Sequence, residues 1–338
     1  MTRSGSLGHN DDPASRHHAD HVHDVLRDGS ASGRSALAAS WSRSLRHHGL
    51  DPDHGAPPHC LDDSAFRQVR DRNGLMLQAA QPVLDRLALA VRRGGYCVLL
   101  CDARGVALER RCDPAYEGVF SAWGLGPGAV WDEAHEGTNG IGTSLVEDRV
   151  LTIHRDQHFY TRNAGLSCTT APIHDHLGRP VGGIDVSSVR TDCDATILPF
   201  LSLVVEDAAR RIETRLFGAA FAGCRIVSLG DEAQALLALD ENEVVIGTNK
   251  AARALFGLGT GRPVTLPDLL SDTGHETPDR AAHAALQRVL KRCGGNVSAA
   301  ARDLGISRAT LHRRLKRNAP RDLSRPCDRS DAATSPAR

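Results

Sequence analysis

Apolar and polar positions alternate with different periods along this chain, and the changes of period divide it. Residues 1–34 show no apolar periodicity and are rich in His, Asp, Ser and Gly, which predicts a mostly disordered His-rich tail. Next, "ALAASWSRSLRHHGLDP" predicts a short helix that stops before Pro52, within an N-terminal helical segment over 35–73. Leu77, Val83, Leu84, Leu87 and Val91 then fall at near-helical spacing. At "GGYCVLLCDARGVALERR" the period changes. The run Tyr96–Cys101 is apolar throughout, as suits a strand buried on both faces, and Asp102–Gly105 supplies a turn to an antiparallel neighbour. "CTTAPIHDHLGRPVGGIDVSS" repeats the plan of strand, turn and strand. "FLSLVVEDAARRIETRLF" closes the region as an amphipathic helix.

Strand hairpins bracketed by helices predict an α+β domain over 74–217. Residues 218–275 read as strand, Asp-Glu-Asn turn, strand and short helix, and are then interrupted by Pro263, Pro267 and Pro278. That is too little for a complete hairpin-rich domain.

The C-terminal end is decided by spacing. Leu286, Val289, Leu290 and Cys293 form one helical stripe, and Gly294-Gly295 stop it. Asn296 is placed to cap a second helix with the stripe Val297, Ala300, Ala301 and Leu304. Gly305 turns the chain, and Ser307 caps a third helix with Leu311 and Leu315 inward, which makes a small all-α helix-turn-helix over 276–319. A disordered basic tail, 320–338, follows.

Charge sharpens that picture. The total is 41 basic and 41 acidic residues, yet 280–338 hold 14 Lys/Arg against 4 Asp/Glu. A module of net +10 is thus attached to a body of net −10, which points to a polyanion partner for the module. On the third helix, Arg308, Ala309, Thr310 and Arg313 lie where a recognition helix meets base edges, and the capping Ser307 is counted with them among the DNA-binding residues. Arg314, Lys316 and Arg317 lie where phosphates are met. The expected partner is double-stranded DNA.

Composition excludes other classes. No apolar run reaches the length of a membrane span, and the N-terminus lacks the apolar core of a signal peptide, so a cytoplasmic, membrane-free protein is expected. Nine cysteines at irregular spacing form no CxxC pair, and the 17 histidines show no ligand spacing, so no cofactor or metal is expected. Cys97, Cys101, Cys112 and Cys168 leave open a thiol enzyme, although the first two lie in the buried-strand pattern.

The elements "GGN", "AAARDLGIS" and "TLHRRLKR" resemble the Fis-type helix-turn-helix of bacterial sigma-54 enhancer-binding regulators. The pieces "SWSRSLRHHGLDP", "VLLCDARGVALERR", "WDEAHEGTNGIGTSL", "QHFYTRNAGLSCTTAPIHDHLGRPVGGIDVSS" and "RIETRLF" resemble, in order, the GAF-containing acetoin and glycerol catabolism (AcoR-like) regulators. The resemblance implies a GAF-like antiparallel sheet sensing a small-molecule effector, a truncated PAS-like segment, and a homodimer on an inverted repeat. It further implies that "AWGLGPGAVWDEAHEGTNG" covers the ligand, with Trp123, Trp131, His135, Glu136, Thr138 and Asn139 as pocket residues and Cys168 on a neighbouring strand. Members of that family carry a central ATPase with a GxxxxGK[ST] phosphate loop. No Gly-Lys dipeptide occurs in this chain, and the family's GAFTGA loop is absent, so no ATP hydrolysis is expected. Two actions stay open: a ligand-responsive regulator working by DNA occupancy or RNA polymerase recruitment, and a co-regulator of full-length family members.

Overall fold

The computed structural model describes residues 13–27, 35–53, 58–91, 95–190, 195–229, 235–257 and 264–272, and in the C-terminal module 289, 293, 296–303, 306–308, 310 and 311. The chain divides into two compact units, one of Met1–Asp240 with Ile246–Leu258, the other of Glu241–Val245 with Gly259–Arg338.

The first unit is built on a five-stranded antiparallel sheet. Its strands are β1 (Tyr96–Asp102), β2 (Ala107–Cys112), β3 (Leu151–His154), β4 (Ser167–His174) and β5 (Pro180–Ser188), in the order β2-β1-β5-β4-β3. Alternation along β1 explains its continuous apolar run. Val98 and Leu100 face one cluster with α4 (Gly74–Val91) and α8 (Leu198–Ala220), whereas Cys97, Leu99 and Cys101 face a second cluster on the opposite side. The β4–β5 turn is closed by Asp175, whose carboxylate accepts from the amides of Leu177 and Arg179, with Gly178 at φ +72°. Between β2 and β3 the chain forms α5 (Glu117–Ala122), α6 (Glu133–Glu136) and α7 (Gly140–Glu147); α5 and α7 cover that second face, and α6 packs on α7.

Part of the N-terminal segment expected to be disordered departs from expectation. Residues 13–27 form a helix, α1 (Pro13–Arg27), not a disordered tail. Its buried Val22 and Leu26 pack with Trp41 of α2 (Ala36–Ser42) and with Phe159 and Tyr160. His18 adds a hydrogen bond from Nε2 to the carbonyl of His158, 3.1 Å away. Three or four buried side chains docked on a ready surface suffice where propensity alone would not hold a helix.

A helical turn at Arg43–His47 extends α2, and α3 (Asp63–Arg72) precedes α4, capped by the Asp62 carboxylate on the amides of Ser64 and Ala65. Beyond α8 lie β6 (Arg225–Leu229), β7 (Ala235–Leu239) and β8 (Val245–Thr248) in a three-stranded sheet, then α9 (Lys250–Phe256), capped by Asn249.

In the second unit, α10 (Leu266–Asp272) precedes the helix-turn-helix. There α11 (Val297–Asp303) is capped by Asn296, which accepts from the amides of Ser298 and Ala299 at 3.1 Å each. Ala300 and Ala301 pack with Val289 and Leu311, close enough for the helices to approach through small side chains. Leu286, Leu290, Gly294, Gly295, Leu304, Gly305, Leu315 and the tail 320–338 lie outside the described residues.

Trp41 is 2% exposed and donates its indole N–H to the Gln157 carbonyl at 2.9 Å. Trp41→Ala is expected to cost about 3–5 kcal/mol in denaturant unfolding, because it opens the seam that holds α1.

Candidate functional site

The segment 131–145 is shaped by short-range caps. Asp132 accepts from the His135 amide at 2.8 Å to start α6. Gly137 reverses the chain at φ +60°, and Asn139 starts α7, accepting from the Gly142 amide and donating to the Gly137 carbonyl, both at 2.8 Å. Two glycines let α7 thread through. A Cβ at Gly142 would lie 2.7 Å from the Trp131 carbonyl oxygen, and one at Gly140 would lie 2.6 Å from the Cβ of Cys168.

One side of this cover faces the N-terminal helices. Buried Glu133 accepts from Ser40 Oγ at 2.5 Å and from Arg43 Nε and a terminal Arg43 nitrogen at 2.8 and 2.9 Å. Arg43 also reaches Glu147, at the far end of α7. Burial alone would raise the Glu133 carboxyl, but the bonds from Arg43 and Ser40 outweigh it and hold it below its ordinary value. Glu136, 1% exposed, is paired with Arg162 at 2.8 Å and accepts from Asn163 at 3.1 Å.

The structure therefore sorts the residues expected in the pocket. Thr138 Oγ1 lies 2.7 Å from Ser40 Oγ and is buried. The side chains of Thr138 and Glu136 thus have protein partners in α2 and at residues 162–163, and that of Asn139 has its partners within its own turn. His135 is exposed, 2.7 Å from Asp132 and stacked on His59. Trp131, Trp123 and Cys168 gather on the second apolar cluster, with the Trp131 indole donating to the Gly124 carbonyl.

The same face holds a group that the sequence reading did not single out. Asp185 sits opposite Leu99 on β1 and Thr170 on β4, fully buried. Thr170 Oγ1 and Ser187 Oγ each donate to it at 2.6 Å, and neither partner carries positive charge. Burial pushes its carboxyl up to about 6, against the pull of those two hydroxyls. Its sequence signal is a lone acid between Ile184 and Val186 in a strand whose two faces are both inward.

A second charged cluster lies at the other end of β4. His174 bonds Glu213 of α8 through Nδ1 and Asp148, just after α7, through Nε2, both at 2.6 Å. Lys250 of α9 reaches the second Asp148 oxygen at 2.6 Å. Burial would lower the imidazole, but the two carboxylates outweigh it and raise it.

The thiols do not suit nucleophilic chemistry. Burial pushes Cys97, Cys101 and Cys168 well up from the ordinary thiol value and raises Cys112 as well, so little thiolate is present near neutrality. Among the described residues, no three His, Cys, Asp or Glu side chains are grouped to hold a metal, and no helix is long and apolar enough to cross a membrane.

In the DNA-binding module, Ser307 Oγ accepts from the Thr310 amide at 3.1 Å, so it caps the third helix and leaves Arg308 exposed beside it. Ala309, Arg313, Arg314, Lys316 and Arg317 lie outside the described residues.

Residues 20–214 match the family described as MimR, N-terminal domain, which is more than half of the chain. The chain belongs to that family. Residues 283–317 match the bacterial regulatory protein, Fis family. The acetoin catabolism regulatory protein of Cupriavidus necator is 31% identical over 275 residues, which is 76% of this chain and 41% of that protein. The propane 2-monooxygenase operon transcriptional activator MimR of Mycolicibacterium smegmatis is 32% identical over 184 residues, 54% of this chain and 30% of that protein. This chain thus aligns with less than half the length of these relatives. The crystal structure of the E. coli DhaR(N)–DhaL complex aligns at a TM-score of 0.48 and 19% identity, over 70% of this chain and 85% of that one. The family's relatives are transcriptional regulators, which agrees with the non-enzymatic reading.

Because the folded value of His174 is raised, its contribution is complete below its ordinary value of 6.5 and fades as pH rises through the raised value. His174→Gln is expected to cost about 1.5–3 kcal/mol at pH 6 and clearly less at pH 8.5, as read by thermal unfolding at both values.

Proposed function

We propose that this protein is a sequence-specific DNA-binding transcriptional regulator whose first unit is a GAF-type sensor of a small molecule. The observation that carries the reading is the presence, on one chain, of a MimR-type N-terminal domain and a Fis-type helix-turn-helix whose capped third helix exposes Arg308. The relatives named for acetoin catabolism and for a propane monooxygenase operon support control of a catabolic operon by a compound related to its substrate. A homodimer on an inverted repeat fits a Fis-type module, because two-fold protein symmetry is mirrored in operator half-sites. The chain has no Gly-Lys dipeptide and hence no GxxxxGK[ST] phosphate loop, so it acts by occupying DNA, or by contact with RNA polymerase or with a family member that supplies the ATPase. Effector and operator need only modest coupling, since about 1.4 kcal/mol changes affinity tenfold.

Selection of genomic fragments by the purified chain at about 150 mM salt tests the reading, since non-specific binding is weakened there. Enrichment of one inverted repeat is expected, with Arg308→Ala losing about 1–3 kcal/mol of affinity and relaxing preference at one base position. A folded protein that enriches nothing, with or without added catabolic substrates, would refute autonomous sequence-specific binding.

A further inference from the structure

We infer that His174 is a proton-operated switch at the end of β4: with a proton on Nε2 it bonds Asp148 at the end of α7, and without that proton it bonds Lys250 of α9. The switch joins elements of the first unit and stands apart from the sensory and DNA-binding readings above.

One side of the ring is fixed. Glu213 of α8 meets Nδ1 at 2.6 Å and accepts from the His174 amide at 2.8 Å. A carboxylate can only accept there, so Nδ1 keeps its proton in both states and Nε2 is the nitrogen that titrates. On the other side, Nε2 faces two groups of opposite character. An Asp148 oxygen lies 2.6 Å away and the Lys250 ammonium 2.9 Å away, and Lys250 also reaches the second Asp148 oxygen at 2.6 Å. These three groups form a triangle that cannot be satisfied on every edge. With Nε2 protonated, the ring donates to Asp148, and two cations, the ring and Lys250, stand side by side. When Nε2 gives its proton to water, the nitrogen keeps the electron pair and accepts from Lys250, and that pair then faces the Asp148 carboxylate. Lys250 bonds Asp148 in either state. The proton therefore decides whether the end of β4 is tied directly to the end of α7 or to α9.

The placement of the three groups suits an exchange of partners. The His174 side chain is 6% exposed, whereas those of Asp148 and Lys250 are 42% and 45% exposed, so either can part from the ring and remain in water. Asp148 closes α7 in the left-handed region at φ +48°, with its amide on the Ser144 carbonyl, so loss of its side-chain bond to β4 frees the last turn of that helix. The charges that face the ring are Glu213, Asp148 and Lys250. Elsewhere on the elements packed here, Glu147 pairs with Arg43, Arg253 bonds the Leu177 carbonyl, and Glu206 and Asp207 pair with Arg210 and Arg211. Asp175 takes the amides of its own turn, His154 of β3 bonds Ser167, and Asp185 of β5 lies opposite Thr170, farther along β4. Arg149, Arg179 and Arg215 are exposed. Burial lowers the imidazole, the two carboxylates outweigh it, and Lys250 opposes them, so the exchange falls above the ordinary value of 6.5.

Hydrogen exchange of the full chain between pH 6 and pH 9, corrected for the intrinsic pH dependence of exchange, tests the switch. It is followed at residues 145–149, with the amides of β1 and β5 as the control. In the native protein, exchange at 145–149 should rise roughly tenfold across that range and the control should stay unchanged. Asp148→Asn should abolish the rise, because an amide can accept from a protonated Nε2 or donate to a bare one. Lys250→Met should move the midpoint to higher pH, because Lys250 opposes the proton on the ring. The same shift is read at the ring by NMR of histidine-labelled protein, where the His174 resonance is the one absent from His174→Gln. A packing role alone would loosen both variants at every pH and move no midpoint. Equal native exchange across the range, a rise that survives Asp148→Asn, or a midpoint that Lys250→Met leaves in place or lowers would each overturn the inference. If His174→Gln does not fold, the exchange of the other two variants decides alone.

Discussion

Much of the first unit depends on one buried ion pair. Glu133 begins the short helix α6, and its carboxylate takes hydrogen bonds from Arg43 and Ser40, which come from the helical segment some ninety residues earlier. Removing one partner of such a pair leaves an uncompensated charge away from water, at about 3–5 kcal/mol. The arginine continues to Glu147, so a single side chain spans α6 and the end of α7. Trp41, one residue beyond Ser40, in turn seats α1 against Phe159 and Tyr160. The N-terminal helices are thus the outer clamp of the cover over the sheet.

Two buried carboxylates on either side of that cover have opposite electrostatics. Glu133 is held ionised by a cation and hydroxyls, whereas burial works against ionisation of Asp185 and only hydroxyls oppose it. The first arrangement fixes geometry. The second carries a cost of ionisation that its two hydroxyl partners offset only in part. At the far end of β4, His174 joins α8, the residue after α7 and α9 in one charged cluster.

The sheet and the helix-turn-helix were legible because their signals are periodic. The run Tyr96–Cys101 suited a strand with both faces covered, and Asn296 and Ser307 stood where caps were needed. Helix α1 was not legible, since Ala19, Val22 and Leu26 make a sparse stripe among His and Asp, and the helix depends on a surface contributed by residues 41 and 159–160. In the segment 131–145 the chemistry could be read but its direction could not. Glu136, Thr138 and Asn139 carry the polar atoms that a ligand site would need, but caps and ion pairs with distant residues engage them. Asp185 was hidden by the opposite effect. Its importance follows from having neutral partners only, which depends on the register that sets it beside Thr170 and Leu99.

The clamp is tested most directly by hydrogen exchange on the native protein and on Arg43→Met, followed at the amides of Gly140–Ser144 and of β1 and β5. Loss of the arginine should speed exchange at the start of α7 by roughly tenfold or more, an opening free energy lower by about 1.4 kcal/mol, while the amides of β1 and β5 keep their protection. Unchanged exchange in α7, or an equal rise across α7 and the central strands, would contradict a cover held by Arg43.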